Sequence, residues 1–356
     1  MTPDVAEALR VVAARRPLAR DLAERAFLDL MDGKATEAQK GAILLGIATR
    51  GETAEEIAGA VSALRARMRR VTSSRSPLLD TCGPGGIGRD LFNLSTAAAI
   101  VAAGAGAAVA KHGNRAISSR VGSADVLSAC GVAVDLDPAA AGRILDDVGL
   151  VFLFAPAFHP AMKELGTVRR ELGVRTIFNA LGPLANPAGA KRQLIGVGRP
   201  ELVRLLADAI ASLGAERAVV FHGANGLDEL VPGVPAAGVE VRDGWTRPWR
   251  YDPATLAQRT VALEELSGGD AAANAAMLAR LLEGEDGPRR ETVLLNAAVA
   301  LTVEGRAADI PDGYERARAA IDGGAARRVF DRLRRATDAV KDSGGHVRRS
   351  PEGEGG

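Results

Sequence analysis

The stretch from Leu79 to Asp125 constrains this chain more than any other. A short apolar run enters Asp80-Thr81-Cys82, and a glycine-rich turn follows, Gly83-Pro84-Gly85-Gly86-Ile87-Gly88. Asn93-Leu94-Ser95-Thr96 then opens the apolar run from Ala97 to Ala103. This order predicts a strand, a glycine loop and a helix start. Glycine lets the backbone approach a ligand, and the free N–H groups of a first helical turn point at whatever sits there. Such a place favours an anion, most often a phosphate. A second apolar run, Ala107 to Ala110, delivers Lys111-His112-Gly113-Asn114-Arg115, with Ser118, Ser119 and Ser123 close behind. Two strand ends therefore bring a glycine cradle, two cations and several hydroxyls to one sheet edge, where open α/β folds bind ligands.

Simpler readings of the same stretch explain less. Gly83, Gly85 and Gly88 match the G-x-G-x-x-G dinucleotide pattern, but that pattern alone is weak. A nicotinamide site wants an acidic residue at the end of the next strand, where Lys111 and Arg115 stand instead. No Gly-Lys-Ser/Thr closes the turn as a P-loop would. A purely structural glycine turn leaves Asn93, Ser95 and Lys111 together without a reason.

The remainder of the chain frames this stretch. Residues 4 to about 70 carry apolar stripes at helical spacing, with Thr36-x-x-Gln39 in capping-box form and Thr53-Ala54-Glu55-Glu56 opening a further helix. From Pro77 onward strands and helices alternate, the pattern of a mostly parallel sheet. Gly131 to Asp135, Val151 to Phe154, Gln193 to Val197 and Arg217 to Gly223 read as strands. Pro138 to Val148, Pro200 to Leu213, Gly269 to Glu283, Pro288 to Leu301 and Gly313 to Thr337 read as helices, and residues 161–182 return to helical character. Residues 231–266 read as sheet edge and connections, and 343–356 as a disordered tail.

Aromatic residues make up only 3% of the chain, so Ala, Val, Leu and Ile must fill the core. A net charge of +1 gives no general reason to expect nucleic acid or a membrane surface as partner. No apolar run has the length of a membrane span, and the N-terminal segment lacks the apolar core of a signal peptide, so a cytoplasmic protein is expected. Cys82 and Cys130 are the only cysteines. Cys82 adjoins the glycine loop, yet no histidine lies near it in sequence to activate it, so a packed thiol is the expectation.

The runs Asn93-x-Ser95-Thr96, Lys111-His112-Gly113-Asn114-Arg115 and Gly122-Ser123-Ala124-Asp125 resemble anthranilate phosphoribosyltransferases, and the resemblance extends from about Arg20 to Arg335. It implies a small helical domain beside a larger α/β domain with a mostly parallel central sheet, the architecture shared with nucleoside phosphorylases. The helical domain is then discontinuous, 1–73 with 163–187, and the α/β domain comprises 74–162 with 188–342. The implied reaction is displacement of pyrophosphate from phosphoribosyl pyrophosphate (PRPP) by the amine of anthranilate, with Mg²⁺, in tryptophan biosynthesis.

The implied PRPP contacts are Gly83, Gly85, Gly86, Ile87, Asn93, Ser95, Thr96, Lys111, Asn114, Ser119 and Ser123. The acceptor would meet Gly83, His112, Asn114, His159 and Gly182, with Arg169 on its carboxylate. A planar guanidinium suits a carboxylate in bidentate fashion, as Lys would not. Asp228 and Glu229 are the implied metal ligands, with Ser95 adding a hydroxyl; oxygen donors suit Mg²⁺. No residue is assigned as acid or base, because an aryl amine is unprotonated at neutral pH. The resemblance further implies a homodimer through the helical domain.

Pro84 and Ile87 stand where the family's glycine loop usually carries Thr and Asp, and Leu91 where a polar residue is common. A phosphoribosyltransferase of specialised metabolism with another aromatic acceptor is one rival reading. Others are a pyrimidine nucleoside phosphorylase-like enzyme and a non-catalytic nucleic-acid-binding relative. The first of these last two gives Arg169 no task, and the second wants a strongly basic face.

Overall fold

A computed structural model describes residues 1–83, 90–116 and 120–343, the last three of these through their backbone alone. The expected PRPP contacts Gly85, Gly86, Ile87 and Ser119 lie outside the described residues, as does the tail 344–356.

Four helices form the N-terminal unit: α1 (Pro3–Ala13), α2 (Arg20–Met31), α3 (Glu37–Arg50) and α4 (Ala54–Arg67). The threonines foreseen as caps act as such. Thr36 with Gln39 and Thr53 with Glu56 each close a reciprocal capping box. Glu56 does more than cap. It is fully buried, and its carboxylate accepts the Leu18 N–H at 2.9 Å, the Thr53 N–H at 3.0 Å and a hydrogen bond from Arg50. One carboxylate thus ties α3, α4 and the segment before α2.

The second unit is built on seven strands: β1 (Leu78–Asp80), β2 (Ala108–Gly113), β3 (Leu150–Phe154), β4 (Arg192–Gly196), β5 (Arg217–Gly223), β6 (Ala236–Arg242) and β7 (Trp245–Tyr251). Their order is β3-β2-β1-β4-β5-β6-β7. The first five run parallel, and β6 and β7 add antiparallel at one edge. Pro248 and the exposed Arg247 and Arg250 blunt that edge against further pairing. The chain leaves β1 to one side through β2 and β3, then returns to its other side with β4. The switch point, where such sheets bind ligands, is therefore between β1 and β4.

Helix α5 (Leu94–Gly104) follows the glycine loop, and nine of its residues are buried: it is apolar all round because it is covered all round. Between β2 and β3 lie α6 (Ser123–Ala129) and α7 (Pro138–Val148), and between β3 and β4 the short helices α8 (Ala155–Phe158), α9 (Gly166–Leu172) and α10 (Phe178–Leu181). Helix α11 (Glu201–Ser212) joins β4 to β5, and α12 (Ala271–Leu282), α13 (Pro288–Glu304), α14 (Ile310–Asp322) and α15 (Ala325–Ser343) close the chain. One apolar core joins the sheet to α5, α7 and α12 to α15. The other joins α1 to α4, residues 165–185, α11 and side chains of β4 to β6.

Two expectations fail. Residues 131–135 are not a strand. Val132 and Val134 are buried, but the intervening Ala133 N–H goes to the Thr337 hydroxyl of α15 at 3.1 Å, not to a neighbouring strand. Gly313 to Thr337 is not one helix either: it breaks between α14 and α15, where Gly324 takes a left-handed φ of 69° that glycine alone adopts freely.

Replacing Glu56 by Ala leaves the buried Leu18 N–H without its acceptor and Arg50 with carbonyl partners alone, which is expected to cost about 1.5–3 kcal/mol. Urea unfolding checks this; a change below about 1 kcal/mol, the size of an ordinary surface substitution, would contradict it.

Candidate active site

At the C-terminal ends of β1 and β4 the backbone leaves no room for side chains. A Cβ on Gly83 would sit 2.5 Å from the Gly196 carbonyl oxygen, and a Cβ on Gly196 would sit 1.7 Å from that of Asp228. This close approach brings the post-β1 loop and the loop after β5 to the start of α5. Together they enclose a cleft of about 120 Å³ whose lining includes Thr81, Gly83, Ser95, Gly196, Asp228 and Glu229.

Lys111, on β2, is 4% exposed and projects into this region. Its ammonium donates to the Thr81 carbonyl at 2.7 Å and lies 3.5 Å from the hydroxyls of Thr81 and Ser95. No carboxylate comes within 4 Å of it among the described residues. Glu229 takes the Ser95 N–H, in the first turn of α5, at 3.1 Å, so a carboxylate sits at the helix N-terminus. Burial raises the Glu229 carboxyl well above the usual range, and the neighbouring Asp228 charge adds to the rise. Burial raises Asp228 too.

Two crowded carboxylates short of counter-charge fit a bound cation. Among the described residues no cluster of three or more His, Cys, Asp or Glu could hold a metal alone. Mg²⁺ is commonly held by one or two carboxylates, with phosphate and water supplying its other oxygens.

Asn93 stands at the N-cap of α5 without a side-chain cap bond, and its N–H goes to Asn274. The Thr96 hydroxyl is buried with no partner among the described residues. Asn114 is exposed, and its carbonyl accepts from Ser123 at 3.3 Å. Arg115 faces Asp125 at 2.8 Å, and Asp125 also accepts from the N–H groups of Ala116 and Gly122. Arg115 and Asp125 therefore knit the loop after β2. Loss of solvation pushes the Cys82 thiol up to about 12, which leaves no thiolate for a nucleophile. His222 bonds the Val197 carbonyl at 2.8 Å, a strand-end structural role.

Beside the cleft stand two buried histidines, His112 and His159, with ring centroids 5.1 Å apart. Burial lowers His112 to about 3, helped by its neighbours His159 and Lys111, and lowers His159 to about 4. Both are neutral at pH 7. The His112 Nδ1 lies 3.0 Å from the Gly182 carbonyl, which can only accept, so Nδ1 carries the proton and Nε2 is left as an acceptor. That Nε2 is buried without a partner among the described residues, and the His159 ring has the Ala185 backbone near it, outside ordinary hydrogen-bond distance. Arg169 is half-buried with its guanidinium 5.5 Å from the Phe178 ring centroid, whereas Arg170 is exposed.

The sequence reading missed the group that fixes this arrangement. Asp80 is fully buried: one carboxylate oxygen accepts the His112 N–H at 3.1 Å, and the other accepts from the Asn186 amide at 2.8 Å. Burial raises it to about 6 against the pull of Lys111 and its donors, so it remains ionised at neutral pH. Its position, the last residue of β1 before the glycine turn, was the available signal. Asn186 gave none beyond its place before a proline.

The two parts of the fold match known domains. Residues 6–68 match the helical bundle domain of a glycosyl transferase family, and residues 75–327 match the a/b domain of the same family. The chain is 51% identical over 320 residues to an anthranilate phosphoribosyltransferase of Anaeromyxobacter dehalogenans (strain 2CP-C), covering 90% of this chain and 95% of that one. A crystal structure of the Thermus thermophilus anthranilate phosphoribosyltransferase superposes with a TM-score of 0.88 at 41% identity, covering 93% and 99% of the two chains. The Saccharomyces cerevisiae enzyme, solved in complex with PRPP and Mg, shares the fold at 24% identity, with a TM-score of 0.86 over 94% and 98%. The chain belongs to the anthranilate phosphoribosyltransferase family.

Both partners of the Asp80 carboxylate are donors, so an amide at that position sets one N–H against another. Asp80→Asn is expected to cost about 1–3 kcal/mol of stability. Thermal unfolding beside wild type measures it, and an unchanged midpoint would show that the junction tolerates the clash.

Proposed function

We infer that this chain transfers the 5-phosphoribosyl group of PRPP to the amine of anthranilate, releasing pyrophosphate, in tryptophan biosynthesis. The observation that carries this reading is the pairing of two unlike half-sites. A buried ammonium and a carboxylate pair meet at the N-terminus of α5, and a neutral histidine pair with orphaned nitrogens lies next to them. The first suits a pyrophosphate with its metal, the second an uncharged aromatic amine.

The amine nitrogen attacks C1′ of the ribose, the C1′–O bond breaks with its electron pair leaving on the pyrophosphate, and the nitrogen then releases one proton to the departing pyrophosphate or to water. Negative charge grows on the leaving pyrophosphate, where the Lys111 ammonium stabilises it. Asp228, Glu229 and the Ser95 hydroxyl would hold Mg²⁺, which supplies further charge neutralisation when bound. Gly83, Asn93, Thr96 and Ser123 complete the PRPP side of the reading, and Asn114 serves both sides. Arg169 holds the anthranilate carboxylate, and its half-buried guanidinium supports that role over Arg170. The bare Nε2 of His112 receives an amine N–H; it is too weakly basic to act as general base, and His159 shapes the same wall. Holding the amine beside C1′ contributes much of the remaining acceleration.

The same reading takes residues 1–73 with 163–187 as the helical domain and 74–162 with 188–342 as the α/β domain; residues 165–185 share a core with α1 to α4, a core that also takes in α11 and one face of β4 to β6. It extends to a homodimer through the helical domain, for which the exposed Leu45 of α3 and Val174 beyond α9 offer apolar surface. A cytoplasmic location agrees with two unpaired cysteines, and no described helix is long and apolar enough to cross a membrane.

Arg169→Ala is expected to raise the anthranilate KM roughly 10- to 150-fold, the loss of one charged hydrogen bond, with the PRPP KM nearly unchanged. Aniline, which lacks the carboxylate, should be used equally well by both proteins; equal losses with both amines would overturn the assignment. Glu229→Gln should move the rate's dependence on free Mg²⁺ to higher concentration, and a superimposable Mg²⁺ curve would discard Glu229 as a ligand.

A further inference from the structure

The turn Gly182–Leu184, between α10 and β4, presents three successive main-chain carbonyls, and a side chain from a different element takes each. The Gly182 oxygen meets His112 Nδ1 of β2 at 3.0 Å. The Pro183 oxygen accepts from Gln193 Nε2 of β4 at 2.5 Å. The Leu184 oxygen accepts from Arg65 Nε and Nη2 of α4, at 3.0 and 2.7 Å. Arg65 reaches across from the N-terminal helices, and its third contact is again a carbonyl, Leu213 O at 3.4 Å. No carboxylate lies within 4 Å of its guanidinium among the described residues. Gln193 is 1% exposed, so its amide has no water to fall back on.

A three-residue turn containing proline has few hydrogen bonds of its own to fix it. Here the one internal bond is long, Ala185 N–H to Gly182 O at 3.3 Å. Side chains hold the turn. Gly182 keeps helical dihedrals of −50° and −53°, and nothing lies within 4 Å of where its Cβ would stand. One side of the turn is thus gripped and the other is open.

We propose that Arg65 and Gln193 are positioning residues for the acceptor, gripping the turn so that Gly182 and the tautomer-fixed His112 face the aromatic amine in one arrangement. Neither touches substrate. Gln193 references the turn to the sheet, and Arg65 references it to α4, so placement of the N-terminal helices is transmitted to the acceptor side through two hydrogen bonds on one carbonyl. The proposal rests on the reading that the acceptor meets Gly182 and His112.

The test is steady-state kinetics of the full chain in Gln193→Met, Arg65→Gln and Arg65→Lys, with Arg169→Ala alongside. Gln193→Met keeps length and volume while removing the donor. It and Arg65→Gln should each raise the anthranilate KM about tenfold, the cost of one lost buried hydrogen bond, with the PRPP KM and the Mg²⁺ dependence within about twofold of wild type. Arg65→Lys, which keeps a donor but not the fork, should fall between. A merely structural role would instead move both KM values together or neither, and either result overturns the proposal. Should Arg65→Gln not fold, Gln193→Met alone decides. If Arg169→Ala raises the anthranilate KM and the turn variants do not, the grip is wrong and the acceptor reading stands. If Arg169→Ala leaves that KM unchanged, the acceptor reading itself falls, whatever the turn variants do.

Discussion

The site depends on one buried carboxylate. Asp80 ends β1 with no exposed surface, and its two oxygens hold the β2 backbone at His112 and the side chain of Asn186. Asn186 in turn donates to the Ala110 carbonyl of β2 at 2.8 Å, so the return from the helical excursion is pinned to two adjacent strands. An ionised group that deep is costly unless its lone pairs are used. Here they are used, and Lys111 lies near enough to favour the charge. The consequence is geometric: His112, and with it the Gly182 turn, cannot drift from the end of β1 without breaking bonds to a buried anion.

Around that junction charge is unevenly placed. On the α5 side stand the Lys111 ammonium, the helix N-terminus and the Asp228–Glu229 pair, a balance of positive and negative groups suited to a metal pyrophosphate. On the His112 side the titratable rings are neutral, because burial costs more than their few hydrogen bonds return. A neutral wall suits an aryl amine, whose lone pair must stay free to attack. The Arg169 guanidinium lies over the ring of Phe178, four residues before Gly182 in the chain. At the switch point between β1 and β4 the Gly83 and Gly196 backbones approach too closely to leave room for a Cβ.

Much of this was legible in the sequence where the signal is local. The strand before the glycine run and the apolar helix after it, the Lys111 run at the end of the next strand and the carboxylate pair after β5 each announce their position by their neighbours; the glycine run itself, 84–89, lies outside the described residues. One long helix was misread where a glycine pair broke a continuous pattern, at Gly323–Gly324, and the short helices α6 and α8 were not read at all. A strand was misread where apolar alternation at Val132 and Val134 reflected burial under α15 without any partner strand. What spacing could not reveal is long-range. Asp80 and Asn186 are 106 residues apart, and Arg65 and Leu184 are 119 apart. An arginine in a helix reads as a surface charge until the fold shows a carbonyl beneath it. Gln193 likewise read only as part of a strand, because its task depends on a turn whose position no periodicity encodes.

The most direct test of the account measures both products of the reaction at once. Anthranilate is incubated with PRPP and Mg²⁺ in the presence of the full chain, loss of its fluorescence is followed, and released pyrophosphate is assayed in the same samples. The account predicts that anthranilate is consumed and pyrophosphate released in equal amounts, and that both stop when PRPP or Mg²⁺ is withheld. Pyrophosphate release without loss of anthranilate, or no turnover at all under these conditions, would contradict the claim that this cleft joins the two substrates.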